Sequence, residues 1–251
     1  MKRLFSILTL ACVLGSASVA VALEDDSPEV AGARATMVAQ LRKAVKAQLA
    51  KIDKTEAELG KAIEAVFKTS IENIEKAKAD TVEELKAVAQ KEMSDASMKV
   101  MDATIAIAEQ RLPKRQGAEP KDGEKRDAKA ADGSCTTDLE IDMGRFGIES
   151  MKFAKKIAKA QLDQMASTTL KKDDAFDLDK DLEKQAEAKQ QAFIALVKTS
   201  LEGLVVKCDA LVDRYGDTAV CKSTTPPNEE VKLADVKEQC EEIRTQVKAI
   251  K

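Results

Sequence analysis

The residues with the most chemistry to offer are five cysteines, Cys12, Cys135, Cys208, Cys221 and Cys240. A thiol can ligate a metal, attack a substrate or form a disulfide, and its surroundings decide which. The chain has no histidine, which removes the usual activating base near neutral pH and the commonest partner in a zinc site. No two cysteines stand in a Cys-x-x-Cys spacing. Disulfides are what remains, provided the chain reaches an oxidising compartment.

The N-terminus supplies that address. Lys2 and Arg3 precede an apolar run from Leu4 to Leu14, and small residues follow, ending in Ala20-Val21-Ala22 before the acidic Glu24-Asp25-Asp26. This is the layout of a signal peptide with an Ala-x-Ala cleavage site. The run is too short to span a bilayer as a helix. Thr9 stands where a lipoprotein signal ahead of Cys12 carries a bulky aliphatic residue. A signal peptide over residues 1–22, cut after Ala22, is therefore expected, leaving a secreted chain (periplasmic in a bacterium) with no transmembrane anchor. Loss of Lys2 and Arg3 takes the formal charge from −3 to −5. On that acidic balance, no nucleic-acid partner is expected.

Cleavage leaves Cys135, Cys208, Cys221 and Cys240, an even number in an exported chain, so disulfides are expected. Helical phase separates the pairings. Val197, Leu201, Leu204, Cys208, Leu211 and Tyr215 step by three and four, as do Leu233, Val236, Cys240, Ile243, Val247 and Ile250. Two antiparallel helices joined by residues 216–228 would set those stripes face to face with the two cysteines nearly level. The prediction is a Cys208–Cys240 bridge between helices and a Cys135–Cys221 bridge at the loop end. The rival is a short Cys208–Cys221 closure combined with Cys135–Cys240.

Other patterns carry less. Asp177-Leu178-Asp179-Lys180-Asp181 imitates the opening of a calcium loop, but Leu182 replaces the turn glycine and Ala188 stands where a closing glutamate belongs. Gly144-Arg145-Phe146-Gly147 has the outline of a nucleic-acid-clamping GxxG, a single copy in helical surroundings. No phosphate loop, no Gly-x-Ser-x-Gly and no N-glycosylation sequon occurs. Neither an enzyme, nor a cofactor, nor a metal is expected. Lys114-Arg115 and Lys125-Arg126 are dibasic pairs, which makes Arg115 and Arg126 candidate points of proteolytic maturation.

The elements that must position these residues are helical. Charged residues make up 34% and aromatics 3% of the chain, and no stretch alternates like a strand, so the fold is expected to be all-α. Ser27-Pro28 reads as a helix start, with apolar steps through Met37, Leu41, Val45 and Leu49. Thr55 and Glu58 resemble a capping box, suggesting a break near 53–54. Further stripes run from Leu59 to Ile74 and from Val82 to Ile107, the last started by Asp80 or Thr81 and ended by Pro113. Whether these make two helices or three is open in the sequence. Residues 113–134 have almost no apolar side chain beyond alanine and read as a disordered linker. A helix follows from Leu139 to about Met165, then a polar interruption over 167–180, a helix over about 181–215, and a last one started by Asn228 as N-cap. The organisation expected is a signal peptide over 1–22, an N-terminal helical region over 23–112, a flexible linker over 113–134 and a disulfide-stapled three-helix region over 135–251. In short, two antiparallel helical hairpins or bundles are joined by a linker.

The halves share text. Lys43 to Leu49 matches Lys156 to Leu162 at five of seven positions, and Ala65 to Glu72 matches Ala195 to Glu202 with every apolar place kept apolar. An internal duplication is the expectation, with the extra length of the second copy near 167–183. Such a chain is expected to act as a structural or interaction module toward a protein partner. The alternative is an extracellular carrier of lipid or a small apolar ligand through amphipathic helices.

Overall fold

The computed structural model describes residues 27–52, 56–115, 117–121, 123–169, 179–224 and 230–250. The expected signal peptide and its cut at Ala22, and also Thr55, Asp177 and Asn228, lie outside them. Six helices are described: α1 Ser27–Leu49, α2 Ala57–Lys76, α3 Val82–Arg111, α4 Thr137–Thr169, α5 Asp179–Tyr215 and α6 Leu233–Ala249. Between the last two come short strands β1 Val220–Lys222 and β2 Glu230–Lys232. The described chain is all-α apart from that one hairpin. No described helix is long and apolar enough to cross a membrane. The chain divides into two compact units, residues 1–107 and 108–251.

In the first unit the question of two helices or three resolves as three. A single core gathers Met37, Leu41 and Val45 of α1, Ile63, Phe67 and Ile74 of α2, and Leu85, Met93 and Val100 of α3. These are the three- and four-step positions of each stripe, so burial follows helical period. The α2–α3 corner is a reciprocal cap. The Glu84 N–H donates to Thr81 Oγ1 at 3.2 Å, and Glu84 Oε2 accepts the Asp80 N–H at 2.8 Å. Arg42 pairs with Glu75 at 2.7 Å, and Arg34 donates to the Ala77 carbonyl at 2.8 Å, tying α1 antiparallel to the end of α2. Buried Ser97 and Thr104 donate to the carbonyls of Met93 and Val100 one turn back, so neither hydroxyl is left dry.

In the second unit α4, α5 and α6 run up, down and up. Lys207 meets Glu149 and Arg214 meets Asp142 between α4 and α5. Arg244 holds Asp209 through both carboxylate oxygens between α5 and α6. The start of α6 differs from the expectation at Asn228. Residues 230–232 are drawn into the antiparallel pair with Val220–Lys222, and the Leu233 N–H donates to the Ala219 carbonyl at 3.0 Å, so the helix begins at Leu233. Three-residue strands carry too little alternation to be read from sequence.

Residues 113–134 have no helix or named strand in their described part, yet they are held. Ala128 is buried. The Arg126 N–H donates to the Arg214 carbonyl at 2.9 Å, and the Thr136 N–H to the Ala128 carbonyl at 3.0 Å. The Arg115 side chain is only 4% exposed. Composition registers apolar side chains, whereas this segment is anchored by backbone groups and guanidinium heads.

Candidate functional site

Covalent bracing comes first. Cys208 and Cys240, both on the apolar stripes of their helices and fully buried, form a disulfide with Cα atoms 5.9 Å apart. Cys135 and Cys221 form the second, with Cα atoms 4.9 Å apart. This is the connectivity that helical phase predicts, and the rival pairing is not the one formed. The second bridge closes a small backbone knot: the Cys135 N–H donates to the Lys222 carbonyl at 2.8 Å, and the Lys222 N–H to the Gly133 carbonyl at 3.2 Å. Beside it the Glu140 carboxylate accepts from the Ser223 and Thr224 hydroxyls at 3.0 and 2.6 Å.

Next to these bridges lies a charge cluster at the α4–α5 crossing. Asp142 on α4 accepts from Arg214 at 2.7 Å, from the Tyr215 hydroxyl at 2.9 Å and from Arg115. Arg115 also faces Asp138 at 3.2 Å, and Asp138 in turn holds Arg126. Burial, reinforced by the Asp142 carboxylate it donates to, pushes the Tyr215 phenol far above its ordinary range. Both candidate cleavage residues, Arg115 and Arg126, are thus occupied by carboxylates, and a protease would have to lift each guanidinium away before its segment could extend through a cleft.

Between the last turn of α3, α4 and α5 opens a cleft of about 510 Å³. Its apolar lining is Leu112, Phe146, Ile148, Ala210 and Leu211. Leu112 reaches this position because Gly144 has no side chain; a Cβ there would collide with the Leu112 Cδ2. Gly144 therefore serves helix packing in this fold. Charged side chains rim the cleft. Lys152 pairs with Glu109 at 2.9 Å, and Lys207 with Glu149 at 2.7 Å. The hydrogen bond from Lys207 holds the Glu149 carboxyl below its ordinary value, and the Glu109 partner raises that of Lys152. Val206, one turn from Ala210 on α5, is 68% exposed.

Sequence reasoning placed the cysteines but missed the cleft. Leu211 is visible as a stripe residue, whereas Leu112 and the rim belong to segments brought together only by the tertiary fold. No group of three or more acidic, cysteine or histidine side chains placed to hold a metal occurs among the described residues. Asp179 and Asp181 of the calcium-like stretch fall in the first turn of α5. No protein-family model, curated protein or solved structure matches the chain.

Proposed function

We propose that the chain is a secreted, non-enzymatic interaction module that works through its second unit. The observation supporting this most strongly is the preformed cleft, apolar inside and charged at the rim, on a scaffold braced by two disulfides. A surface fixed in advance spends little ordering entropy on binding. The volume falls within the roughly 300–1,000 Å³ of ordinary ligand sites, and exposed Val206 extends the contact surface beside it. Export through the signal peptide of residues 1–22 is part of the proposal, since it provides the oxidant for the bridges. Internal duplication belongs here too: Lys43–Leu49 and Lys156–Leu162 share helical phase, with Val45 and Ala158 both buried and the lysines exposed.

A photo-crosslinking residue at Ala210, on the cleft wall, and another at Glu238, exposed on α6, test this in the fluid that receives the chain. A covalent product from position 210 and none from 238 supports the module. Equal labelling, or none at 210, contradicts it.

The second reading is carriage of lipid or a small apolar ligand by helices that open. One observation favours it: among the described residues the first unit has no covalent brace over its aliphatic core. Hydrogen exchange of the full chain with phosphatidylcholine vesicles would then show α1–α3 changing protection while α4–α6 do not.

A further inference from the structure

We propose that the outer part of the α4–α5 hairpin docks on a second copy of this chain, the two hairpins pairing antiparallel about a twofold axis. That surface lies beyond the cleft on both helices and is independent of what the cleft binds.

Burial marks where a partner belongs. On α5 the stripe Leu201, Leu204, Cys208, Leu211 and Tyr215 is buried, whereas no residue from Glu187 to Ser200 is. Phe193, Ile194 and Val197 continue the apolar pattern there but are only half-buried. On α4 the same change follows Met151, with Phe153, Ile157 and Leu162 half-buried. The Glu149–Lys207 and Asp142–Arg214 pairs fix one antiparallel register, in which Leu162 stands level with Ile194. α6 runs back along α5 from the Cys208–Cys240 bridge and ends at Ala249, level with about Thr199. Beyond that point α6 contributes nothing, and two helices alone do not enclose a core. In the first unit the places matched by the shared text, Ile63 and Phe67, are each 1% exposed in the core that α3 completes.

Charge selects a second copy as the occupant. Lys155 and Lys189 are already engaged. The exposed charges of this stretch with no partner among the described residues are Lys156, Lys159 and Lys198 against Asp163, Glu187 and Glu202. A surplus of either sign would repel itself across a twofold axis, and these balance. Their order is self-complementary as well. Lys159 precedes Asp163 by four residues and Lys198 precedes Glu202 by four, so an antiparallel copy sets lysine against carboxylate on either helix. The face is short, about 16 Å along residues 153–163 of α4, so a weak and reversible dimer is expected.

Sedimentation equilibrium of the full oxidised chain, loaded from about 5 to about 500 μM, tests the inference. A monomer–dimer equilibrium is expected. Phe193→Glu and the exposed change Lys198→Glu are each expected to weaken dimerisation by about tenfold or more, with helix content by circular dichroism unchanged. Adding Glu202→Lys to Lys198→Glu reverses both signs and is expected to restore the dimer. Glu238→Lys, on the exposed side of α6, is expected to leave it unchanged. A chain that stays monomeric over the whole range, as it would if the face served a foreign partner, overturns the inference. So does a dimer indifferent to both single changes, or a Lys198→Glu loss that Glu202→Lys does not rescue.

Discussion

The Tyr215 hydroxyl donates to Asp142 Oδ2 at 2.9 Å across the α4–α5 crossing, and neighbouring Arg214 donates to the same oxygen at 2.7 Å. Tyr215 is the only tyrosine, and the chain has no tryptophan, so phenolate absorbance reports this contact alone. Burial and the Asp142 charge both favour the neutral phenol, raising its folded-state pKa. The resulting stabilisation is present below the unfolded phenol pKa of about 10 and is lost as pH rises beyond it. An absorbance titration should show no ionisation through about pH 10–11, then a steep rise coincident with loss of helix in the second unit. Asp142→Asn should move the onset to lower pH. A gradual titration centred on the ordinary phenol value would contradict the contact.

Asp142 is the shared counter-charge of Arg115 and Arg214, and the Arg115 side chain is 4% exposed. Asp142→Ala would leave two largely buried guanidinium groups without it. Removing one partner of a buried ionic group costs about 3–5 kcal/mol. The urea midpoint of the second unit, followed by circular dichroism, should fall accordingly. Glu230→Ala, an exposed residue on β2, should change it by less than about 0.5 kcal/mol.

Both disulfides lie in residues 108–251, and the first unit has none among its described residues. Each bridge closes a long loop, with separations of 86 and 32 residues, and its loss should cost about 2–5 kcal/mol. Reduction should therefore destabilise α4–α6 and leave α1–α3 protected. Hydrogen exchange with and without reductant measures this directly. Uniform loss of protection over both units is the contrary result.

Two helical glycines separate packing from propensity. Gly203 in α5 has open space where a Cβ would stand, whereas at Gly144 in α4 that atom would strike Leu112. Gly203→Ala should raise stability by about 0.5–1 kcal/mol through helix propensity. Gly144→Leu should lower it by about 1–3 kcal/mol by evicting Leu112 from the cleft lining. Thermal melts of both variants check the pair of signs.

Much of this molecule is legible in its residues because helices bury every third and fourth side chain. That period set the boundaries of α2, α4 and α5 within a few residues and the phase of Cys208 against Cys240. It failed where the determinants are not periodic. The β1–β2 pair is held by backbone bonds over three residues, so the start of α6 falls at Leu233 and not at Asn228. The segment around Arg115 and Arg126 reads as unanchored on hydrophobicity, although ionic partners far along the chain hold it. The cleft joins Leu112 to residues of two later helices, a relation no local window contains.

Non-reduced peptide mapping by mass spectrometry, on the chain recovered from outside its producing cell, tests the central claim most directly. It should return linked peptides for Cys208–Cys240 and Cys135–Cys221, with a mature N-terminus at Leu23. Linkage of Cys208 to Cys221 together with Cys135 to Cys240, or four free thiols, would contradict an exported module braced around its cleft.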